Sequence, residues 1–239
     1  MSTLFIVATP IGNLQDTTIR AIDVLKQVDL ILCEDTRVTK KLLDRYQIEK
    51  PLLSYHQHSK LNKINYILDL LKLGKNLALV SDAGTPGISD PGGKLINSII
   101  TSPGLVVKII SIPGPSAVIA AASISGLPMD RFLFLGFPPA KRKRKKFFKE
   151  VLESKYSIIF YESPYRIIKT LQELNLEAKT CNLEPNIVVC RELTKKFETV
   201  YRGNINEVLQ KLEKDKILGE FVVVVNSRIS TNLSTNLHE

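Results

Sequence analysis

The chain has 239 residues, of which 44% are hydrophobic, and its 33 Lys and Arg against 24 Asp and Glu give a formal net charge of +9. This composition excludes an intrinsically disordered chain. The longest uninterrupted apolar stretches, such as residues 221–225, are too short to form a membrane-spanning helix. The N-terminus lacks the basic region and cleavage site of a signal peptide, and the three cysteines are far apart in sequence. We therefore expect a cytoplasmic protein with reduced, buried thiols and no disulfide. His56 and His58 have no cysteine or acidic cluster beside them, so we expect no metal.

In the first half of the chain, short apolar runs alternate with helical patterns. The runs predict strands at residues 4–9, 30–33, 52–53, 77–80 and 106–110. Between them, apolar residues at helical spacing predict a helix capped by Asp16, one from Leu61, one over residues 94–100, and a small-residue helix whose first turn holds Pro115. This alternation is typical of a parallel sheet, so we predict an α/β domain over residues 1–114.

The second half has a different texture. Strand patterns occur at residues 131–137, 157–161, 187–190, 199–202 and 221–225, with a helical pattern over 205–212. A short polar link joins the segments around Arg191 and Val200, which favours a hairpin within a mixed sheet. We predict a second α/β domain over residues 115–228 and a disordered Ser/Thr/Asn-rich tail over residues 229–239.

The loop over residues 81–93 is the most informative segment. It joins the fourth predicted strand to a helix through four glycines, two prolines and two aspartates. Glycine lets the backbone approach a ligand closely, proline fixes the loop before binding, and ligands of α/β proteins bind outside the carboxyl ends of parallel strands. The loop is therefore predicted to form one wall of a small-molecule site.

Other strand ends carry polar or Gly/Pro residues too. These segments are residues 10–13, 34–37, 113–117 and 161–164. The sequence holds neither the G-x-G-x-x-G fingerprint nor a Walker loop, which argues against nucleotide-dependent hydride or phosphoryl transfer. No Ser-His-Asp or Cys-His pattern stands out either.

In their order along the chain, these motifs resemble the tetrapyrrole methylase superfamily. They read ATPIGNL from Ala8, EDTR from Glu34, SDAGTPGISDPGG from Ser81, PGPSA from Pro113 and YESP from Tyr161. Within the superfamily, the chain resembles the ribosomal RNA small subunit methyltransferase I branch over residues 3–226. That resemblance implies 2′-O-methylation of a cytidine in the decoding region of 16S ribosomal RNA, with S-adenosylmethionine as methyl donor and no metal.

The resemblance also implies the architecture and the site. It implies a tetrapyrrole-methylase-like fold of two α/β domains with the cofactor cleft between them, and a homodimer. The residues it implies around the cofactor are Pro10, Ile11, Asp82, Ala83, Gly84, Thr85, Ser116, Ala117, Tyr161 and Leu193. Many members of the branch carry a further C-terminal domain, for which the residues after Val225 are too few.

A ribose hydroxyl is a poor acid, so a base or hydrogen-bond acceptor should assist the transfer. Asp35 and Glu162, each at a predicted strand end, are the candidates for this role, with Arg37 holding a phosphate or orienting Asp35. Asp35 and Arg37 are equally compatible with a structural ion pair. Glu162 is also compatible with a carboxylate stabilised at a helix N-terminus.

The positive charge is concentrated in residues 141–146, which are six consecutive cations. They are Lys141, Arg142, Lys143, Arg144, Lys145 and Lys146. The run suits phosphate contacts to RNA, with Phe147 and Phe148 either stacking on bases or packing into the core. It is also compatible with a solvated helix start. Two other functions stay open: methylation of a tetrapyrrole or another small anionic acceptor, and non-catalytic RNA binding during ribosome assembly.

Overall fold

A computed structural model describes residues 1–56, 59 and 61–228. The chain divides into two compact units, one of residues Met1–Ser116 and one that starts at Ala117. The sequence-based boundary lies between residues 114 and 115. The predicted tail, residues 229–239, and His58 of the histidine pair lie outside the described residues.

In its described residues, the first unit forms a five-stranded parallel sheet with four α-helices. Its strands are β1 (Ser2–Val7), β2 (Leu30–Cys33), β3 (Leu52–Ser54), β4 (Leu77–Leu79) and β5 (Val107–Ile112). Its helices are α1 (Ile19–Gln27), α2 (Thr36–Arg45), α3 (Leu61–Lys72) and α4 (Gly93–Ile100). The strand order is β3-β2-β4-β1-β5, and every pair is parallel, with Leu4 opposite Leu77 and Ile109. The predicted α/β class is confirmed for this half.

One local prediction in this unit was wrong, and one helix was not predicted. Asp16 does not cap α1, because residues Leu14–Asp16 form a short 3₁₀-helix; the Thr18 hydroxyl instead accepts from the backbone N–H of Ala21. The sequence reading also missed α2, in which charged residues outnumber apolar ones. Helix α2 begins directly after β2, with Asp35 as its N-cap.

The sheet of the first unit is covered on both faces, as a parallel sheet requires. One cluster of buried side chains packs Val24 and Leu25 of α1 against Ile31 and Ala78. The other packs α3 and α4 against the opposite face, around Leu4, Leu32 and Leu79. Because helices pack on both faces of the sheet, a ligand can reach it at the carboxyl ends of the strands.

Up to residue 228, the second unit forms a mixed five-stranded sheet and four α-helices. Its strands are β6 (Phe132–Phe134), β7 (Ser157–Glu162), β8 (Asn186–Arg191), β9 (Thr199–Asn204) and β10 (Phe221–Asn226). Its helices are α5 (Ala117–Ser125), α6 (Arg144–Glu153), α7 (Ile167–Thr180) and α8 (Ile205–Glu213). The strand order is β6-β7-β10-β8-β9; β6 and β7 are parallel and the other pairs are antiparallel. The predicted hairpin is therefore β8 and β9.

Phe147 and Phe148 belong to the core of the second unit. Their exposed fractions are 8% and 2%, and the ring of Phe147 meets the ring of Phe160 edge-on at 5.7 Å. The stacking role considered for both rings is therefore wrong, because neither face is free for a base. Both rings pack into the core cluster that contains Val151 and Leu152 of the same helix.

The cysteines are free, with Cys33 and Cys190 buried and Cys181 exposed. The expectation of buried thiols is thus wrong for Cys181, which caps the C-terminus of α7. Within the described ranges, the structure has no helix of the length and apolar character needed to cross a bilayer.

Candidate functional site

Four loops of the first unit lie at one edge of its sheet. They follow β1, β2, β4 and β5, which are neighbours in the strand order and run in the same direction. Parallel strands end at the same edge, so Pro10, Ile11, the segment 34–37, the loop 81–93 and Ser116 are brought together there. The topology thus brings together four of the strand-end segments singled out in the sequence, while the segment 161–164 belongs to the second unit.

Backbone hydrogen bonds join these loops directly. Thr9 and Gly84 exchange both of their backbone hydrogen bonds, at 2.9 and 3.0 Å, and the Thr9 hydroxyl donates to the Ser81 carbonyl at 3.0 Å. The Thr85 hydroxyl donates to the carbonyl of Pro115 at 3.3 Å. The loop 81–93 is therefore fixed to the loops after β1 and β5 before any ligand binds, which lowers the entropic cost of binding.

Two glycines allow this close approach. Gly84 has a φ of +77°, and a Cβ there would lie 3.5 Å from the Cγ2 of Ile11. At Gly114, a Cβ would lie 3.1 Å from the Cβ of Ala8, closer than ordinary van der Waals contact. A side chain at Gly114 would push one loop away from its neighbour, whereas a side chain at Gly84 would have ordinary contacts but would strain the backbone, because φ is positive there.

Three carboxyl groups meet at the ends of β2 and β4. Glu34 accepts a hydrogen bond from the backbone N–H of Asp82, while an Asp82 carboxylate oxygen accepts from the backbone N–H of Asp35 at 3.0 Å. Burial, with the nearby charges of Asp90 and Asp82, raises the pKa of Glu34 to about 7. Burial also raises the pKa of Asp90 to about 6, against a hydrogen bond from Ser81. A carboxyl group that titrates near neutral pH is suited to proton transfer.

Sequence reasoning selected Asp35, the neighbour of Glu34. The Asp35 carboxylate accepts from the backbone N–H of Arg37 at 2.8 Å and from its guanidinium at 2.6 to 3.2 Å. These hydrogen bonds lower the pKa of Asp35 to about 2, which makes it a weak base. Arg37 is 87% exposed along its side chain. The segment 34–37, singled out in the sequence, includes Glu34. Sequence alone could not show that Glu34, and not Asp35, has the pKa raised by burial.

In the second unit, Glu162 is the centre of a buried network. Its side chain is 0% exposed; it accepts from the Thr170 hydroxyl at 2.7 Å, from the backbone N–H of Ser163 at 2.7 Å, and pairs with Arg166 at 2.7 Å. Each oxygen therefore already has a protein donor. This arrangement favours the structural alternative for Glu162 over a proton-transfer role.

Arg144 belongs to the same network. It is 9% exposed and donates to Glu173 at 2.6 Å, to the Thr170 hydroxyl at 2.8 Å and to the Pro139 carbonyl at 2.8 Å. This burial and these three hydrogen bonds to protein groups argue against an RNA contact for Arg144. The other five cations of the run 141–146 are exposed.

The remaining predicted cofactor residues of the second unit lie at strand ends. Tyr161 is the last residue but one of β7, and its ring lies 4.9 Å from that of Phe134. Leu193 is 7% exposed and stands between Glu192 and Thr194, whose φ angles are +52° and +67°. Such backbone strain is concentrated at functional sites, which supports a role for the turn after β8.

The Thr194 hydroxyl oxygen is buried and has no hydrogen-bond partner among the described residues. Ala117 opens α5, where backbone N–H groups lack helical partners. Nowhere in the described part of the chain do three or more His, Cys, Asp or Glu side chains form a group that could hold a metal.

Comparison with known proteins gives consistent matches. The family model of tetrapyrrole (corrin/porphyrin) methylases matches residues 3–209. A protein of Thermotoga maritima called ribosomal RNA small subunit methyltransferase I is 44% identical over 95% of this chain and 100% of its own length. Proteins of the same name from Bacillus subtilis and Rickettsia prowazekii are 47% and 41% identical, over 94% and 100% of this chain and 75% and 83% of their own lengths.

Solved structures resemble the fold. The crystal structure of the methyltransferase CobJ has a TM-score of 0.66 at 18% identity and covers 95% of this chain and 94% of its own. The cobalt precorrin-4 methyltransferase CbiF, a cobalamin biosynthetic enzyme, gives the same score and identity over 94% of both chains. At this identity the likeness concerns the fold alone.

Proposed function

The chain belongs to the tetrapyrrole methylase family, among the ribosomal RNA small subunit methyltransferases I, and from that membership we propose its reaction. It transfers a methyl group from S-adenosylmethionine to the ribose 2′-hydroxyl of a cytidine in the decoding region of 16S ribosomal RNA. The observation that carries the proposal is the edge of the first sheet, where four joined loops surround a carboxyl group that titrates near neutral pH.

The chemistry of this edge fits the methyl donor. S-adenosylmethionine, when bound, supplies a methyl group on a positively charged sulfur, and its ammonium and ribose hydroxyls need acceptors. Asp82 is exposed, and only one of its carboxylate oxygens accepts a hydrogen bond within the described part of the chain. At the same edge of the sheet, backbone groups and mostly small side chains are provided by Pro10, Ile11 and the segment 82–85. Ser116, Ala117, Tyr161 and Leu193 remain proposed contacts.

The protein's main tasks in methyl transfer are alignment and proton removal. Rigid loops hold the reacting groups in line, which can supply a large part of the rate. We assign the acceptance of the ribose proton to Glu34 rather than to Asp35 or Glu162. Glu34 is partly exposed and half ionised near pH 7, whereas Asp35 is held by Arg37 and Glu162 by three donors. Arg37 keeps its proposed role as a phosphate contact, because its guanidinium is exposed.

RNA recognition is proposed for the exposed cations of the run 141–146. Lys141, Arg142, Lys143 and Lys146 are exposed and take part in none of the ion pairs among the described residues. Lys145 lies 3.8 Å from Glu177, a weak pair on an otherwise exposed side chain.

We also propose a homodimer, which light scattering tests. We propose a cytoplasmic location as well, because ribosomal RNA is available as a substrate there.

The test is methyl transfer from radiolabelled S-adenosylmethionine to small ribosomal subunits that lack the modification, with free ribosomal RNA in parallel. Mass spectrometry of the digested RNA identifies the product, and 2′-O-methylcytidine is the expected nucleoside. If a porphyrinoid were labelled and RNA were not, the function would be tetrapyrrole methylation. RNA binding without bound cofactor or turnover would indicate a non-catalytic assembly factor.

A further inference from the structure

The second unit exposes aromatic rings where its two parallel strands end. Tyr165 is 95% exposed and follows β7, and Phe137 is 53% exposed and follows β6. Because β6 and β7 are adjacent and parallel, both rings lie at the same edge of the sheet. The Phe137 ring also lies 5.4 Å from the ring of Tyr161, with a tilt of 58°. An aromatic ring left almost fully in water suits a surface that is covered in a complex.

The buried network around Glu162 holds this edge in place. Arg166, the residue after Tyr165, pairs with Glu162 and donates to the carbonyl of Pro138 at 3.3 Å. Arg144 donates to the next carbonyl, that of Pro139, at 2.8 Å. The loop that carries Phe137 and the basic run is thus tied to the loop that carries Tyr165. The exposed rings are therefore presented on a rigid base.

Positive charge follows the loop of Phe137 along the chain. Lys141, Arg142 and Lys143 are exposed and directly follow the loop whose carbonyls the two arginines bind. Lys143 has a φ of +68° and is the N-cap of α6, so the backbone turns into the helix at this residue, within the run 141–146. Cations around an exposed aromatic ring are the pattern that binds single-stranded nucleic acid, because phosphates meet the cations and a base stacks on the ring.

We propose that Phe137, Lys141, Arg142, Lys143 and Tyr165 form an aromatic-basic edge that binds an unpaired RNA segment, with one base stacked on Tyr165. This inference rests on the proposed function for the identity of the RNA. The rings of Phe137 and Tyr165 are exposed, whereas those of Phe147 and Phe148, which the sequence offered for stacking, are buried. The charge of the edge favours RNA over a second copy of this chain, whose formal net charge is +9.

The experiment compares Tyr165→Ala and Tyr165→Phe with the matched control Tyr66→Ala, an exposed tyrosine of the first unit. Fluorescence anisotropy gives the Kd for a labelled single-stranded RNA from the decoding region and for a duplex of the same sequence. Loss of the ring should weaken single-strand binding about 5- to 100-fold, with little change for the duplex. Tyr165→Phe and Tyr66→Ala should bind as the wild type does, and all variants should keep the wild-type Kd for S-adenosylmethionine.

Equal single-strand affinity of Tyr165→Ala and the wild type would overturn the inference, as would the absence of RNA binding by the wild type. A change in oligomer mass caused by Tyr165→Ala would overturn it too, because the edge would then be an interface between copies. Methyl transfer is measured separately. A wild type that binds through Tyr165 and methylates no RNA would leave the edge standing and remove the proposed function.

Discussion

At the scale of single residues, burial separates two neighbouring carboxyl groups. Glu34 and Asp35 are adjacent in sequence, yet the pKa of one is raised to about 7 and that of the other is lowered to about 2. Burial beside Asp90 acts on the first, and hydrogen bonds from Arg37 act on the second. Sequence shows both residue types but cannot show which of them loses water, so it pointed to Asp35, whereas the two pKa shifts favour Glu34 for the role that we propose.

Glu34→Gln should lower kcat by about 100- to 10,000-fold, the contribution of a positioned general base. In the wild type, kcat should rise with pH through about 7, because the base acts only when ionised. The control is Asp35→Asn, which still caps α2 and should keep the same pH midpoint. A pH profile of kcat measures both. An unchanged profile in Glu34→Gln would contradict the assignment.

The same substitution should change the pH dependence of stability. The pKa of Glu34 is higher in the folded state than its ordinary value of 4.5, so the native protein binds this proton more tightly than the unfolded chain does. The free energy of unfolding should therefore fall as pH rises from about 4.5 to about 7. Glu34→Gln should reduce this fall, which urea denaturation at several pH values measures. A slope that stays the same would show that the group is not perturbed.

Glu162→Gln should destabilise the protein by about 3 kcal/mol, because it leaves the charge of Arg166 without its buried partner. The exposed carboxylate of Glu153 provides the control, and Glu153→Gln should change stability by less than ~0.5 kcal/mol. Chemical denaturation gives both values. If turnover were lost while stability stayed, Glu162 would be the proton acceptor after all.

At the scale of elements, apolar runs predicted the strands well and polar surfaces concealed a helix. The five strands of the first sheet and the β8–β9 hairpin follow from runs that must be buried on a sheet. Helix α2 carries Leu42 and Leu43 inward on an otherwise charged segment, so its apolar signal is weak. Strand order depends on tertiary packing and could not be read from periodicity.

Gly114→Ala should weaken binding of S-adenosylmethionine and lower stability by about 1 to 3 kcal/mol, because the added Cβ would lie 3.1 Å from that of Ala8. Gly93→Ala is the matched control, since a Cβ there meets nothing within 4 Å at the start of α4. It should be neutral or slightly stabilising. Calorimetry of binding and thermal unfolding measure the two effects. Equal behaviour of both variants would show that the close approach at Gly114 is not needed.

At the scale of the whole molecule, net charge predicts how RNA binding responds to salt. The affinity should fall steeply with salt concentration, and neutralising four exposed cations should reduce the slope of log K against log[salt] by about 2 to 3. The variant replaces Lys141, Arg142, Lys143 and Lys146 by Gln. A control replaces four other exposed lysines by Gln: Lys26, Lys41, Lys179 and Lys214. Equal slopes in the two variants would mean that charge acts without regard to position.

The two sheets differ in when their central strands are synthesised. In the first unit the central strand is β4, which lies between β2 and β1 and is complete at Leu79, well before the second unit begins. In the second unit β10, the last strand in chain order, lies between β7 and β8, and all six of its residues are buried. The first unit can thus fold while translation continues, whereas the second must wait for β10. Until then, the edges of β7 and β8 that pair with β10 have unpaired backbone N–H and C=O groups. A chain truncated before Phe221 would therefore consist of a folded first half joined to an aggregation-prone second half.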